Sequence, residues 1–193
     1  MSKKRLQGGF LLNLFTCFLL PAYTLLFAGS ITWFGTNFSV IAVTGRDHYR
    51  GFFLWGLLAG SVFLVLLVRI IHRLPGKWGK LPLYLTTGLA VSSLGYTLVI
   101  PYLPKSFPAY AELHVALAMA ACVWLMLTAL IILLRRCKLD WRRWRGCLLG
   151  WGLIVAGSAF LFLMAGMVSS ALEIFFTLSA ALLLRKMFLL SCY

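Results

Sequence analysis

Long apolar runs, broken by short clusters of polar and charged residues, set the pattern of this chain. Six runs approach or reach the about 20 residues that a helix needs to cross a hydrocarbon core. They cover roughly 10–32, 52–71, 82–102, 114–134, 147–167 and 168–184. Only "MVSS" separates the last two, which predicts a tight helical hairpin. The pattern predicts an all-α polytopic membrane protein: a six-transmembrane-helix bundle forming one integral membrane domain over 1–193, without a soluble domain. Pro21 lies inside the first run and predicts a kink there, with neighbouring groups satisfying the carbonyl it frees. Gly56 with Gly60, and Gly146 with Gly150, give two G-x-x-x-G spacings. Such spacings let helix backbones approach closely where lipid offers no hydrophobic incentive to associate. The stretch between the first two runs, "TNFSVIAVTGRDHYRG" (36–51), is expected to be an outer loop with turns at Gly45 and Gly51.

Composition strengthens the membrane assignment. The chain is 62% hydrophobic and 11% charged, against about 25% charged in a soluble domain. Its mean hydropathy is +0.96. The net charge of +14 would point to nucleic acid in a soluble protein. Here the charges sit between apolar runs, so topology explains them and no nucleic-acid partner is expected. One side holds Lys3, Lys4, Arg5, Arg69, Arg73, Lys77, Lys80, Arg135, Arg136, Lys138, Arg142, Arg143, Arg145, Arg185 and Lys186. The other holds only Arg46, Arg50 and Lys105. An excess of basic residues marks the cytoplasmic side, which places both termini inside a plasma membrane (the inner membrane in a bacterium). The first run follows "MSKKR" and outlasts the 7–15 residues of a signal-peptide core, so it is expected to stay as an anchor. "LFTC" lacks the small residue that precedes a lipoprotein cysteine.

Cys17, Cys122, Cys137, Cys147 and Cys192 show no C-x-x-C spacing and read as small core residues. Of these, Cys137, Cys147 and Cys192 fall near the basic side, where acylation occurs. The segment "RRCKLDWRRWRG" (135–146) interleaves basic residues with Trp141 and Trp144. That mixture suits anionic headgroups at the cytoplasmic face.

Three of the four acidic residues lie on the other side: Asp47, Glu112 and Glu173. A carboxylate within a span costs about 2.5–3.5 kcal/mol on insertion scales, so Glu173 should face the bundle interior and have a partner. Helical spacing puts Ser169, Ser170 and Thr177 on its stripe. Ser93 and Tyr96, with Ser92 and Thr97, offer polar groups from the third run, and His114 opens the fourth. The candidate ligand-binding set is therefore Glu173, His114, Arg46, Asp47, His48, Arg50, Ser93 and Tyr96. The arginines of the 44–50 segment suit a lipid phosphate; a structural pairing of Arg46 or Arg50 with Glu173 is the plainer alternative. A zinc set from Asp47, His48, His114 and Glu173 lacks ligand spacing, and neither metal nor cofactor is expected. Asn37-Phe38-Ser39 matches a glycosylation pattern beside the membrane.

Three stretches resemble a known family: "FSVIAVTGRDHYRGFFLWGLLAGSVF" (38–63), "LHVALAMAA" at the start of the fourth run, and "ALEIFF" in the sixth. They are similar to bacterial six-span proteins of unknown function related to the Frag/DRAM/Sfk-type membrane proteins. The resemblance implies a six-helix fold, a histidine opening span four (here His114) and a glutamate in span six (here Glu173). The family commonly has arginine after that glutamate; Ile174 stands there in this chain. The family supplies no biochemical activity. A more distant likeness, to seven-span ceramidase-like hydrolases, would need more histidines on one side than this chain has.

The expected function is that of a non-enzymatic membrane protein holding a lipid or other hydrophobic partner in an outward-facing polar pocket, as a monomer or a homo-oligomer. A small transporter or permease is the first alternative, although no inverted repeat is visible. An intramembrane lipid hydrolase is the second, and no nucleophile–base pair can be named from sequence.

Overall fold

Helices satisfy their own backbone groups, which is why apolar runs in a membrane protein resolve into them. The computed structural model describes residues 10–29, 32–44, 47–76 and 79–192. Seven helices make up its regular structure: α1 (Phe10–Ala28), α2 (Phe38–Thr44), α3 (His48–His72), α4 (Leu81–Val99), α5 (Pro108–Leu139), α6 (Trp141–Ala165) and α7 (Ser170–Leu190). No strand occurs among the described residues.

Four helices (α1, α3, α5 and α6) are long and apolar enough to cross a membrane. The helices α4 and α7, of 19 and 21 residues, are long enough but fall outside that set of four. Hydroxyls at Thr86, Thr87, Ser92, Ser93 and Thr97 interrupt α4, and α7 carries Glu173, Arg185 and Lys186. Several helices run beyond the apolar runs that mark them. The 32 residues of α5 extend about 48 Å at 1.5 Å per residue, well past a core of about 30 Å.

Two local features differ from the sequence expectations. Directly before Pro21, α1 widens into a π-turn over Phe15–Leu19, closed by the Leu20 N–H on the Phe15 carbonyl. Such a turn accommodates a residue that lacks an N–H. The expected outer loop is also partly helical. Asn37 precedes the apolar "FSVIAVT" and caps it: its Oδ1 accepts the Val40 N–H at 2.8 Å. The resulting α2 buries Phe38, Ile41 and Ala42 against Phe52, Trp55, Leu98 and Ile174. The ring of Phe38 meets Trp55 edge-on at 4.8 Å and Phe27 at 5.2 Å. His48 and Arg50 belong to the first turn of α3, not to the expected outer loop.

The two glycine pairs lie between helices. A Cβ at Gly56 would collide with Leu98 of α4, and one at Gly60 would lie 3.1 Å from Leu94. Gly146 and Gly150 face Lys186 and Leu183 of α7. Gly166, at φ +66°, ends α6, and Ser169 opens α7 by accepting the Leu172 N–H, which forms the expected hairpin turn.

Arginines tie the helix ends together at one end of the bundle. Arg73 donates to the Phe188 carbonyl and Cys192 Sγ, Arg136 to the Arg73 carbonyl at 3.0 Å, and Arg143 to the Leu190 carbonyl at 2.8 Å. Cations there also answer the negative end of the α7 dipole. Arg136 stacks 5.5 Å over Trp144, whose ring is buried. At the opposite end α2 lies among the remaining termini.

Candidate functional site

Two residues singled out in the sequence, Glu173 and His114, converge on the start of α2. Glu173 sits in the first turn of α7, and its Oε2 accepts the Phe38 N–H at 2.6 Å. The bond fills the first orphan donor of α2 while Asn37 fills the third. The docking is reciprocal, because the first N–H groups of α7 are orphans too. Ser170 N–H donates to the Thr36 carbonyl at 2.7 Å, and Ala171 N–H to the Trp33 carbonyl at 2.9 Å. Glu173 is thus half of a two-way clasp between α7 and the 33–38 segment.

His114 holds the next residue. Its Nδ1 lies 2.6 Å from the Ile100 carbonyl and its Nε2 lies 2.7 Å from Ser39 Oγ. A carbonyl only accepts, so Nδ1 carries the proton; in the neutral ring Nε2 then accepts from the Ser39 hydroxyl. The imidazole is buried, at 2% exposure, between Phe52 and Tyr102. Through it the end of α4, the start of α5 and α2 become one unit. Tyr49 adds a bond to the Leu98 carbonyl at 2.6 Å, and Tyr23 one to the Gly51 carbonyl at 3.2 Å.

Ser39 and His114 have the spacing of a nucleophile and its base. Their surroundings oppose that use. Acyl transfer needs N–H donors aimed at the developing oxyanion, each worth about 2.7–4 kcal/mol. The N–H beside Ser39, on Phe38, already points at a carboxylate oxygen. That N–H is therefore not available to an oxyanion. The pair serves as a tether.

The other candidates lie apart from this clasp. Asp47 and Arg50 form an exposed ion pair at 3.8 Å. His48 Nδ1 donates to the Ile41 carbonyl at 3.2 Å, fastening the end of α2. Tyr96 is exposed, and the Ser93 carbonyl accepts the Thr97 hydroxyl; neither side chain reaches Glu173 or His114 through a described hydrogen bond. Arg46 lies outside the described residues. Among the described residues, no three His, Cys, Asp or Glu side chains gather as a metal site.

Beneath the clasp is a crevice that sequence patterns did not single out. Thr177, one turn or about 6 Å below Glu173, lines it with Phe176 from α7, Trp55 and Phe63 from α3, Leu94 from α4, and Ala121 and Cys122 from α5. It exists because α5 and α7 do not pack along one another while both contact α6. Its walls are apolar, and Cys122 remains exposed within it. Its cavity volume is about 70 Å³, or about 490 Å³ when all the open space between its walls is counted. An apolar cavity of about 150 Å³, about twice the smaller of these volumes, admits benzene.

Comparison of the chain with protein-family models, with curated proteins and with solved structures finds no match.

Proposed function

We propose that the chain is a six-span membrane protein, with both termini cytoplasmic, that holds one hydrocarbon chain of a lipid in the crevice between α3, α4, α5 and α7. The observation that carries this is the crevice itself: apolar, partly open, and about one helical turn below Glu173. A chain lying there would replace missing van der Waals partners of Trp55, Phe63 and Phe176. Each buried methylene contributes about 0.8 kcal/mol when drawn from water; from a bilayer the gain is contact, not desolvation. Selectivity would therefore rest on shape.

The topology is supported by where the helix ends meet. α1, α4 and α6 finish, and α3, α5 and α7 begin, around α2. The arginine clasps join the other ends. Six alternating passes would fit this arrangement, with the basic excess on one side as in cytoplasmic loops. Kinship with the six-span Frag/DRAM/Sfk-type proteins is part of the same proposal.

Lipid mass spectrometry on the purified protein tests the binding. The wild-type chain should retain about one more lipid per protein than Cys122→Phe, which projects a ring into the crevice and should keep the helical circular dichroism. Equal retention by both would overturn the proposal.

A further inference from the structure

The basic segment 135–146 divides into two faces. Arg136 and Arg143 turn inward to backbone carbonyls, and Trp144 is buried beneath Arg136. Lys138, Arg142 and Arg145 remain exposed, as does Trp141. Trp141 and Arg145, four apart, head a groove that continues along α6 past Leu148, Leu149, Gly152 and Leu153. The glycines of α6 have separate uses. Gly150 faces Leu183 of α7, whereas a Cβ on Gly152 would meet nothing within 4 Å. Gly152 is the notch of the groove, flanked by the exposed Leu149 and Leu153.

We infer that this groove binds one anionic phospholipid, its phosphate at Arg145 and an acyl chain in the notch at Gly152. This goes beyond the crevice, which lies on other helices. Depth fits: Arg145 to Leu153 spans about 12 Å of helix, within the about 15 Å of one leaflet's hydrocarbon. Charge selects the occupant. The exposed cations here outnumber the one local acid, Asp140, whose carboxylate already accepts the Arg143 N–H at 3.1 Å. The other acids, Asp47, Glu112 and Glu173, belong to the α2 end. A second copy of the chain would bring more cations to Arg145, whereas a lipid phosphate brings the missing anion. Trp141 at the mouth suits the interface, where tryptophan accumulates.

The test uses the full chain in equimolar phosphatidylcholine–phosphatidylglycerol nanodiscs, with spin-labelled versions of each lipid. Wild type should immobilise phosphatidylglycerol in preference to phosphatidylcholine. Arg145→Gln should cut that preference about five-fold, the equivalent of about 1 kcal/mol for one basic residue near the surface. Arg145→Lys should keep most of it. Gly152→Leu should reduce immobilisation of both lipids by filling the notch. An unchanged preference in Arg145→Gln would overturn the inference. So would a Gly152→Leu variant that alters the dimer fraction and leaves lipid immobilisation intact. Loss of lipid from the crevice in Cys122→Phe should leave these signals unchanged, which separates this site from that one.

Discussion

Replacing Glu173 by leucine should release α2 from α7. The carboxylate oxygen accepts the Phe38 N–H at 2.6 Å, and Phe38 is completely buried. Leucine leaves that N–H without a partner, at a cost of about 1–3 kcal/mol for a buried donor. Glutamine keeps a neutral acceptor in the same place, so it should stay within about 1 kcal/mol of wild type. Hydrogen exchange at the amides of Phe38–Thr44 reads this directly, because local opening sets the rate. Glu173→Leu should accelerate exchange there by about 5- to 150-fold, at ten-fold for each 1.4 kcal/mol. Amides in the middle of α3 should be unaffected. Glutamine as damaging as leucine would refute a hydrogen-bonding role for the side chain. Wild-type protection in the leucine variant would refute the clasp itself.

Ser39→Ala and His114→Ala should be non-additive in thermal unfolding, with a coupling of about 0.5–3 kcal/mol, since each removes the same bond. A fluorophosphonate probe should leave Ser39 unlabelled; labelling abolished by Ser39→Ala would establish a nucleophile. Gly56→Val should lose about 1–3 kcal/mol through overpacking against Leu98, whereas Gly146→Ala should stay within about 0.5 kcal/mol. Reporter fusions should place 103–113 outside and 72–81, 135–146 and both termini inside, and a terminus found outside would contradict the topology.

The all-helical fold and the four long apolar helices were legible because apolar run length is a strong signal. Glu173 and His114 stood out because polar groups within such runs are rare and need partners. Their partner was not legible. Glu173 meets a residue 135 positions away, and His114 meets one 75 away, so only the assembled bundle brings them together. The helix α2 escaped notice because seven residues are too few for isolated stability; its burial and two distant tethers hold it. Asn37 before an apolar run was its one local sign. Charge counting treated every arginine of the basic side alike. Arg73, Arg136 and Arg143 instead bond to carbonyls at converging helix ends, a proximity that no spacing encodes. The crevice likewise depends on how far apart α5 and α7 lie, which helix periodicity does not specify.

The crevice is tested most directly by photocross-linking in the membrane with a phospholipid carrying a diazirine near the end of one acyl chain. Peptide mapping should place adducts at Ala121–Leu125 of α5 and at Phe176 or Thr177 of α7, and Cys122→Phe should remove them. Adducts confined to outward-facing positions such as Leu163 and Leu189, with none on the crevice walls, would contradict the proposal.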